Sequence, residues 1–532
     1  MKQSVDQHTA ASRISGLGVI VMAAGLGKRM KSNHVKVLHH VAGRPMVLYA
    51  VDLARQLADH RIVVVVGHQS DRVRQVIQSS IAGTPGATSV SIIEQAEQLG
   101  TGHAVMVSRP AFYHGDEARP TNYLILNGDT PLLKEETARE LLRVHQSQGA
   151  TVTILTATLE DPSGYGRVIR RQPEKLHQDG LTPSDVLKIV EDRDATPVER
   201  STKEINVGTY VVSGAFLFEA LDKLEPRNAQ NEYYLTDIVQ MAVAQGRRVA
   251  AVTLQNPEEG LGVNTRHQLA EAERIVRQQI RERWLEAGVT MRDPGSVWID
   301  TGVTIGRDTV LYPNVSLEGK TIIGEGTTIR SGVRITDCML GNRVEILDCC
   351  VLSESEVDDD AHLGPFVHLR PGVVVRRKAK VGNFVEMKKV ELGEGSKANH
   401  LSYLGDATIA EGVNIGAGTI TCNYDGERKH RTVIGRNVFL GSDTQLIAPV
   451  TIGEGSVVAA GTTVTQNVPA DSLAIARVPQ VNRVGWAAKR RMLLAAGLGS
   501  QNSANASDKS EGQRVKKAPS DKKRRRAESS KR

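Results

Sequence analysis

From Ile299 every sixth residue is aliphatic: Ile299, Ile305, Leu311, Leu317, Ile323, Ile329 and Ile335. The beat returns as Ile434, Leu440, Leu446, Ile452, Val458 and Val464. A second small or β-branched position sits four residues on, at Val303, Thr309, Val315, Thr321, Thr327 and Val333. A period of six fits neither a helix nor an alternating strand. It predicts a left-handed parallel β-helix of hexapeptide repeats, each short strand forming one edge of a coil. The aliphatic residue points inward. The residue after it, often Gly as in Ile305-Gly306 and Ile452-Gly453, is expected to turn the corner. An ordinary sandwich with evenly spaced strands is the alternative, and seven matches in one register followed by six more argue against it. The beat is interrupted around 353 to 361 and 397 to 408, where loops and sites are expected. Flat prism faces predict side-by-side association, with a homotrimer matching a three-sided prism.

The N-terminal half has another rhythm. Gly18–Met22, Ile62–Gly67 and Tyr123–Asp129 are continuous apolar runs, the last ending in a carboxylate, and a helical pattern spans Pro45 to about Leu57. Strands of this kind alternating with helices predict a mostly parallel, Rossmann-like α/β sheet with both faces covered. Ligands then sit beyond the strand C-termini, where Gly25-Leu26-Gly27-Lys28-Arg29 and Asp129 lie. From Arg266 an apolar stripe of Leu269, Ala272, Val276, Ile280 and Trp284 predicts a helical linker ending at Gly288. The expected organisation is a flexible extension over 1–17, an α/β domain over 18–265, the linker over 266–288 and the β-helix over 289–485. A short helix over 486–499 and a disordered basic tail over 500–532 follow.

Charge changes the picture only at the end. The 532 residues carry +7, but residues 501–532 hold eleven Lys/Arg against four Asp/Glu and account for all of it. The body is neutral, so nucleic acid is not expected as a partner except through the tail, which reads as solvated. No 18-residue apolar run argues for a membrane span. Cys338, Cys349, Cys350 and Cys422 form no CxxC and read as reduced thiols of a cytoplasmic protein.

The glycine loop is neither a Walker A nor a spaced dinucleotide fingerprint, and by itself is weak evidence for an anion site. Its setting is more specific. Met22–Met30 followed by Lys36, then Gln95–Ala104, Asn127-Gly128-Asp129, Gly164–Arg167, Ile189-Val190-Glu191, Glu204–Gly208 and Gly262-Val263-Asn264 resemble, in order, the motifs of sugar-nucleotidyltransferases. Further on come Leu369–Gly372, Gly382–Lys389, Lys397–Asp406, Asn414–Thr419 and Thr421–Gly426. The whole, from about 18 to 487, resembles the bifunctional N-acetylglucosamine-1-phosphate uridyltransferase/glucosamine-1-phosphate N-acetyltransferase family.

The resemblance implies that Met22, Ala23, Ala24, Gly25, Gln95, Gly100 and Thr101 hold the uridine nucleotide, and that Asn127 and Gly128 belong to the same UDP-N-acetylglucosamine site. It implies that Gly166, Glu191 and Asn206 hold the N-acetylglucosamine part, and that Asp129 and Asn264 bind Mg²⁺. Catalysis there is positioning plus charge neutralisation by Mg²⁺, Arg29 and Lys36. In isolation Asn206 reads equally well as a turn cap and Glu191 as a surface ion-pair partner. In the second half it implies His400 as general base, with Arg370, Lys388 and Lys429 gripping the acceptor's phosphate. Tyr403, Asn414, Asn423 and Tyr424 would line the pocket for acceptor and acetyl-CoA, and Ala417, Ser442, Ala460 and Arg477 would contact acetyl-CoA. Glu386 is a candidate to orient His400. The chain departs from the family at Lys28, where Thr is usual, and at Val35, where Pro is usual. Lys28 either adds a phosphate contact or faces solvent, and losing Pro is a route to a looser Lys36 loop.

The function implied is acetyl transfer from acetyl-CoA to glucosamine-1-phosphate, then uridylyl transfer from UTP with release of pyrophosphate. The alternative is a single nucleotidyltransferase whose β-helix serves assembly, against which His400, Arg370, Lys388 and Asn423-Tyr424 argue.

Overall fold

The apolar run at 18–22 becomes the central strand, β1 (Leu17–Ala23), of a sheet in the computed structural model, which describes residues 13–83, 90–113, 119–171 and 186–496. The other strands along the sheet are β2 (Ile62–Val66), β3 (Val90–Glu94), β4 (Asn122–Asn127), β5 (Val152–Thr158), β6 (Glu204–Ser213) and β7 (Val249–Thr253). The spatial order is β7-β5-β6-β4-β1-β2-β3. All neighbours run parallel except β6, which is antiparallel to both β4 and β5. Val19, Ile20 and Val21 are fully buried, as strands covered on both faces require. Helix α1 (Met46–Leu57) starts after Pro45, whose fixed φ suits a helix entry. Residue Ile14 already donates its N–H to Leu57 O, so the chain is tied down ahead of β1, while residues 1–12 lie outside the described set.

Helix α2 (Arg266–Glu286) opens with a capping box between Thr265 and Gln268. It buries Ala272, Ile275, Val276 and Ile280, with Leu269 and Trp284 half-buried beside them. That stripe belongs to one continuous core that also takes in Met46 and Leu132 of the α/β part and the inward ladder of the β-helix.

Coils begin with Thr290–Met291 and Trp298–Ile299, and the last paired strand is Leu473–Ala474, short of the expected 485. Strands stack in parallel register, Ile299 on Leu317 on Ile335 on Leu352 on Leu369. The second buried position is often threonine. Thr309 and Thr327 bury their methyls and donate their hydroxyls to Gly324 O and Gly341 O of the next coil at 3.0 and 3.3 Å, so no polar atom is left orphaned there.

Two expectations are corrected. The glycine after the inward aliphatic does not turn the corner. Gly306, Gly324, Gly435 and Gly453 have no positive φ; a Cβ on them would meet the backbone of the next coil at 2.6, 2.5, 2.7 and 2.4 Å. They are needed for close coil-to-coil approach. The left-handed residue comes two positions later, at Asp308, Gly326, Asn437 and Gly455. The interruptions at 353–361 and 397–408 are also not loops. Strands Glu356–Val357, His362–Leu363, Lys397–His400 and Tyr403–Ile409 pair in sequence, and the altered beat reflects coils shortened at a corner. The true excursion is residues 423–431, between the strands Ile420–Cys422 and Thr432–Ile434.

The chain divides into two compact units, Met1–Ile475 and Ala476–Arg532. In the second, Trp486–Ala495 is a helix entered from Gly485 at φ 77°, with the Arg490 guanidinium 5.3 Å from the Trp486 ring centroid. The tail expected over 500–532 lies outside the described residues. No helix among the described residues is long and apolar enough to cross a membrane.

Candidate active sites

The first site lies beyond the C-terminal ends of β1 and β4. After Ala23 the chain passes through Gly27 in the left-handed region (φ 60°) into a short 3-10 turn, Lys28–Met30, pinned by buried Met30. A Cβ on Gly27 would stand 2.6 Å from Lys36 Cβ, so glycine is what lets the Lys36 segment close against the loop. Val35, in place of the usual Pro, has φ −56° and ψ 133°, a conformation proline itself takes. Lys36 is buried.

The Lys36 ammonium donates to the Asp129 carboxylate and, at 3.1 Å, to Asn264 Oδ1. Val263 N donates to Asp129 O at 2.9 Å and brings the Asn264 segment alongside. Residues 93 and 228 positions away from Lys36 thus converge on one cation.

A cavity of about 590 Å³ opens beside this cluster, lined by Met22 to Gly25, Lys36, Gln95, Gly100, Thr101, Asn127 and Asp129. Gln95 spends its amide N–H groups on Gly100 O (3.1 Å) and His103 Nδ1 (3.0 Å), while its carbonyl oxygen has no partner among the described residues. Such an acceptor suits the N–H of a base edge. Gly100 is at φ 104°, and a Cβ there would meet Tyr233 O at 2.7 Å.

A second cavity, about 550 Å³, adjoins the first and holds Arg29, Glu191 and Asn264. Burial pushes the Glu191 carboxyl above the usual range, with Thr236 Oγ1 donating to it at 3.4 Å. Asn206 does cap a turn: its Oδ1 accepts from Gly208 N at 3.1 Å across a bulge in β6, and its Nδ2 reaches Tyr210 OH. Gly166, Gly128 and Asn206 line neither cavity. A Cβ on Gly166 would press on Ile189 Cγ2 at 3.1 Å, with the Glu191 carboxylate oxygens at an ordinary 3.6 Å. Arg193 and Gln230 line both cavities and were not singled out from the sequence; they sit on exposed loops without periodic signal.

The second site is built by strand register. Leu369 pairs with Met387 and Met387 with Leu404, which sets Arg370, Lys388 and Gly405 on successive coils. Lys429, from the 423–431 excursion, joins them: the Lys388 ammonium is pushed below its ordinary range, first by Lys429 and then by Arg370. Three cations thus gather at one place, Arg370 with Glu386 as its partner, an arrangement that can meet an anion. Glu386 pairs with Arg370 at 2.9 Å and is not an orienting partner of His400; the imidazole has no hydrogen bond among the described residues. Tyr403 OH and Asn423 Nδ2 close over Gly405, where a Cβ would meet them at 2.7 and 2.8 Å, and Asn423 is held by Asp406. Tyr424 is exposed on the excursion.

His400 ends its strand at a prism corner, and register carries that corner upward. Lys397 pairs with Asn414, Asn414 with Phe439 and Phe439 with Val457, so His400, Ala417, Ser442 and Ala460 occupy equivalent positions on four coils. Gly418 N to His400 O, Asp443 N to Ala417 O and Gly461 N to Ser442 O tie the corners together. The side chains stacked above the histidine, Ala417, Ser442 and Ala460, are all small. Arg477 belongs to the second unit.

Comparison with known proteins agrees with this two-part layout. Residues 19–226 match the model of the MobA-like NTP transferase domain, and residues 302–337 and 431–466 match the bacterial transferase hexapeptide repeat. The bifunctional protein GlmU of Pelobacter propionicus is 50% identical over 475 residues, covering 89% of this chain and 98% of that relative. Those of Trichlorobacter lovleyi and Geobacter metallireducens are 48% and 49% identical, each over 89% of this chain and 98% and 99% of their own lengths. With the α/β site, the β-helix and the corner track all present in one chain, it belongs to the bifunctional GlmU family.

Proposed function

We propose that the chain makes UDP-N-acetylglucosamine in two steps at the two sites described. Acetyl-CoA first acetylates glucosamine-1-phosphate on the β-helix, and UTP then uridylylates the product on the α/β domain. The observation that carries this reading is the pairing, in one chain, of the Lys36–Asp129–Asn264 cluster with the separate Arg370–Lys388–Lys429 cluster.

At the first site the sugar phosphate oxygen is already an anion and needs no general base. It attacks the α-phosphorus; the bond to the β-phosphate oxygen breaks and its electron pair leaves on pyrophosphate. Lys36 neutralises charge near the α-phosphate, and Arg29, on the second cavity, meets the sugar phosphate. Asp129 and Asn264 fit a Mg²⁺ ion: both offer hard oxygens, and these already converge on a cation, the Lys36 ammonium. When bound, such an ion supplies Lewis-acid stabilisation of phosphate charge, with waters and phosphates completing its shell.

At the second site the amine attacks the thioester carbonyl. The C–S bond breaks with its electron pair on sulfur, and the proton that His400 takes from the amine passes on to that thiolate, which leaves as the thiol of coenzyme A. Arg370, Lys388 and Lys429 hold the acceptor phosphate; Tyr403, Asn414, Asn423 and Tyr424 frame the pocket. The small side chains of Ala417, Ser442 and Ala460 leave room for the pantetheine arm.

We further propose a homotrimer with acetyl-CoA between neighbouring prisms, working in the cytoplasm of a bacterium whose cell envelope uses the product. In support, an apolar ladder of Phe366, Phe384 and Leu401, 47%, 55% and 65% exposed, climbs the same corner to the residue beside His400, its two rings stacked at 5.0 Å. The test is to assay the half-reactions apart. Wild type should release pyrophosphate from UTP with N-acetylglucosamine-1-phosphate, and free thiol from acetyl-CoA with glucosamine-1-phosphate. Lys36→Ala should lose the first and keep the second; loss of both in a folded variant would overturn the assignment of separate sites.

A further inference from the structure

The two cavities of the α/β site meet along a strip carrying Gly27, Lys28, Lys36, Arg193 and Gln230. On that strip Lys36 is already engaged, by Asp129 and Asn264. Lys28 is not. Its side chain is exposed and takes no hydrogen bond or ion pair among the described residues. Its backbone, by contrast, is fixed between left-handed Gly27 and buried Met30. A charged tip on a fixed base at the mouth of an anion site has one electrostatic use, to meet charge that the buried lysine does not reach.

We propose that Lys28 binds the two outer phosphates of UTP, those that leave as pyrophosphate, as an additional binding residue of the uridylyl site. The inference rests on the uridylyltransferase reading above. Lys28 continues the wall formed by residues 22–27 on the nucleotide side, whereas the far end of the second cavity is Gly164, Glu191 and Asp192. The sugar enters from that far end. In an in-line displacement the leaving group departs on the side of the α-phosphorus opposite the attacking oxygen, away from the Gly164, Glu191 and Asp192 end, and Lys28 stands on the strip where the two cavities meet. As the bond between the α-phosphorus and its bridging oxygen breaks, the electron pair accumulates on pyrophosphate. An ammonium there meets developing negative charge without any proton transfer. A threonine at this position has no cation to offer.

The test compares wild type, Lys28→Thr and Lys28→Arg in the forward reaction and in pyrophosphorolysis of UDP-N-acetylglucosamine. Lys28→Thr should raise KM for pyrophosphate and for UTP about tenfold, the loss of one charge-assisted contact. The Kd of UDP-N-acetylglucosamine, which lacks the leaving phosphates, and the KM of the sugar phosphate should stay within about twofold. Lys28→Arg should restore most of the loss. Acetyl transfer on the same preparation reports folding. An unchanged KM for pyrophosphate would overturn the proposal, as would an equal rise in KM for the sugar phosphate or failure of arginine to rescue. If wild type itself releases no pyrophosphate, the uridylyltransferase reading falls and takes this one with it.

Discussion

Gly27→Ala isolates how tightly the Lys36 segment is set against the phosphate loop. Gly27 sits at φ 60° and ψ 32°, where an L side chain costs about 1 kcal/mol. The larger effect is contact. The new Cβ would lie 2.6 Å from Lys36 Cβ, 3.2 Å from Cγ and 3.3 Å from Cδ, against an ordinary contact of 3.4 to 4 Å. The clash is with the root of the lysine, so no rotamer change relieves it; the Lys36 backbone must withdraw by about 1 Å. Lys36 Nζ is held by Asp129 and Asn264, so that withdrawal displaces the charge the chemistry needs. A misplacement of about 1 Å is worth roughly 100-fold in rate. Pyrophosphate release should therefore fall about 100-fold in kcat, with acetyl transfer kept and a stability loss of about 1 to 3 kcal/mol. Gly83→Ala is the control: φ is 71° but nothing lies within 4 Å, so it carries the conformational cost alone and should leave both rates unchanged. Near-normal uridylyl transfer in Gly27→Ala would refute the reasoning.

Val35→Pro should stabilise the protein by about 0.4 to 1 kcal/mol, because Val35 already has a proline-like φ of −56° and its N–H makes no hydrogen bond among the described residues; a lower melting temperature would count against it. His145, buried between Thr153 and Asn122, is pushed by burial down to about 4. The unfolded chain therefore takes up the proton first, and stability present above pH 6.5 is lost towards pH 4 by up to about 3 kcal/mol; a His145→Gln protein with the same acid profile would exclude this. His400→Ala should cut acetyl transfer by about 10²- to 10⁴-fold in kcat with a smaller change in acceptor KM, because the cation cluster is untouched. Normal turnover in a stable His400→Ala protein would remove it as the base.

What could be read from sequence followed how local the cause was. The hexapeptide beat gave the inward ladder because each aliphatic stacks on its equivalent one coil away. The glycines were misassigned because two different constraints select glycine. One is local, a left-handed φ at Gly326 or Gly455; the other is tertiary, the backbone of the next coil against Gly306 or Gly453. Sequence alone does not separate them. In the α/β site the motif residues Met22 to Gly25, Gln95, Gly100 and Thr101, which line the first cavity, were legible, as were Lys36 and Asp129. Asn206 reads from sequence as a sugar contact or a turn cap, and in the structure its side chain caps a turn. Arg193 and Gln230 were not legible at all, since the fold brings two unpatterned loops to the cavity rim. Glu386 was placed with the wrong partner for a similar reason. Its neighbour is fixed by register between coils, which sets Arg370 beside it.

The two sites differ in what a perturbation can reach. The first depends on a buried lysine gripped by residues from distant segments, so backbone shifts of an ångström matter. The second depends on stacked register, which every coil above and below reinforces, joined by Asn423, Tyr424 and Lys429 from the 423–431 excursion. Stability, however, is not partitioned in the same way. One apolar core runs from Met46 and Leu132 through helix α2 to Val468, so a substitution that loosens either half weakens packing shared by both. A fall in one activity alone is then ambiguous between lost chemistry and lost protein. The ratio of the two activities on one preparation is not. A defect in chemistry changes that ratio, whereas unfolding of the common core lowers both activities together and leaves it fixed.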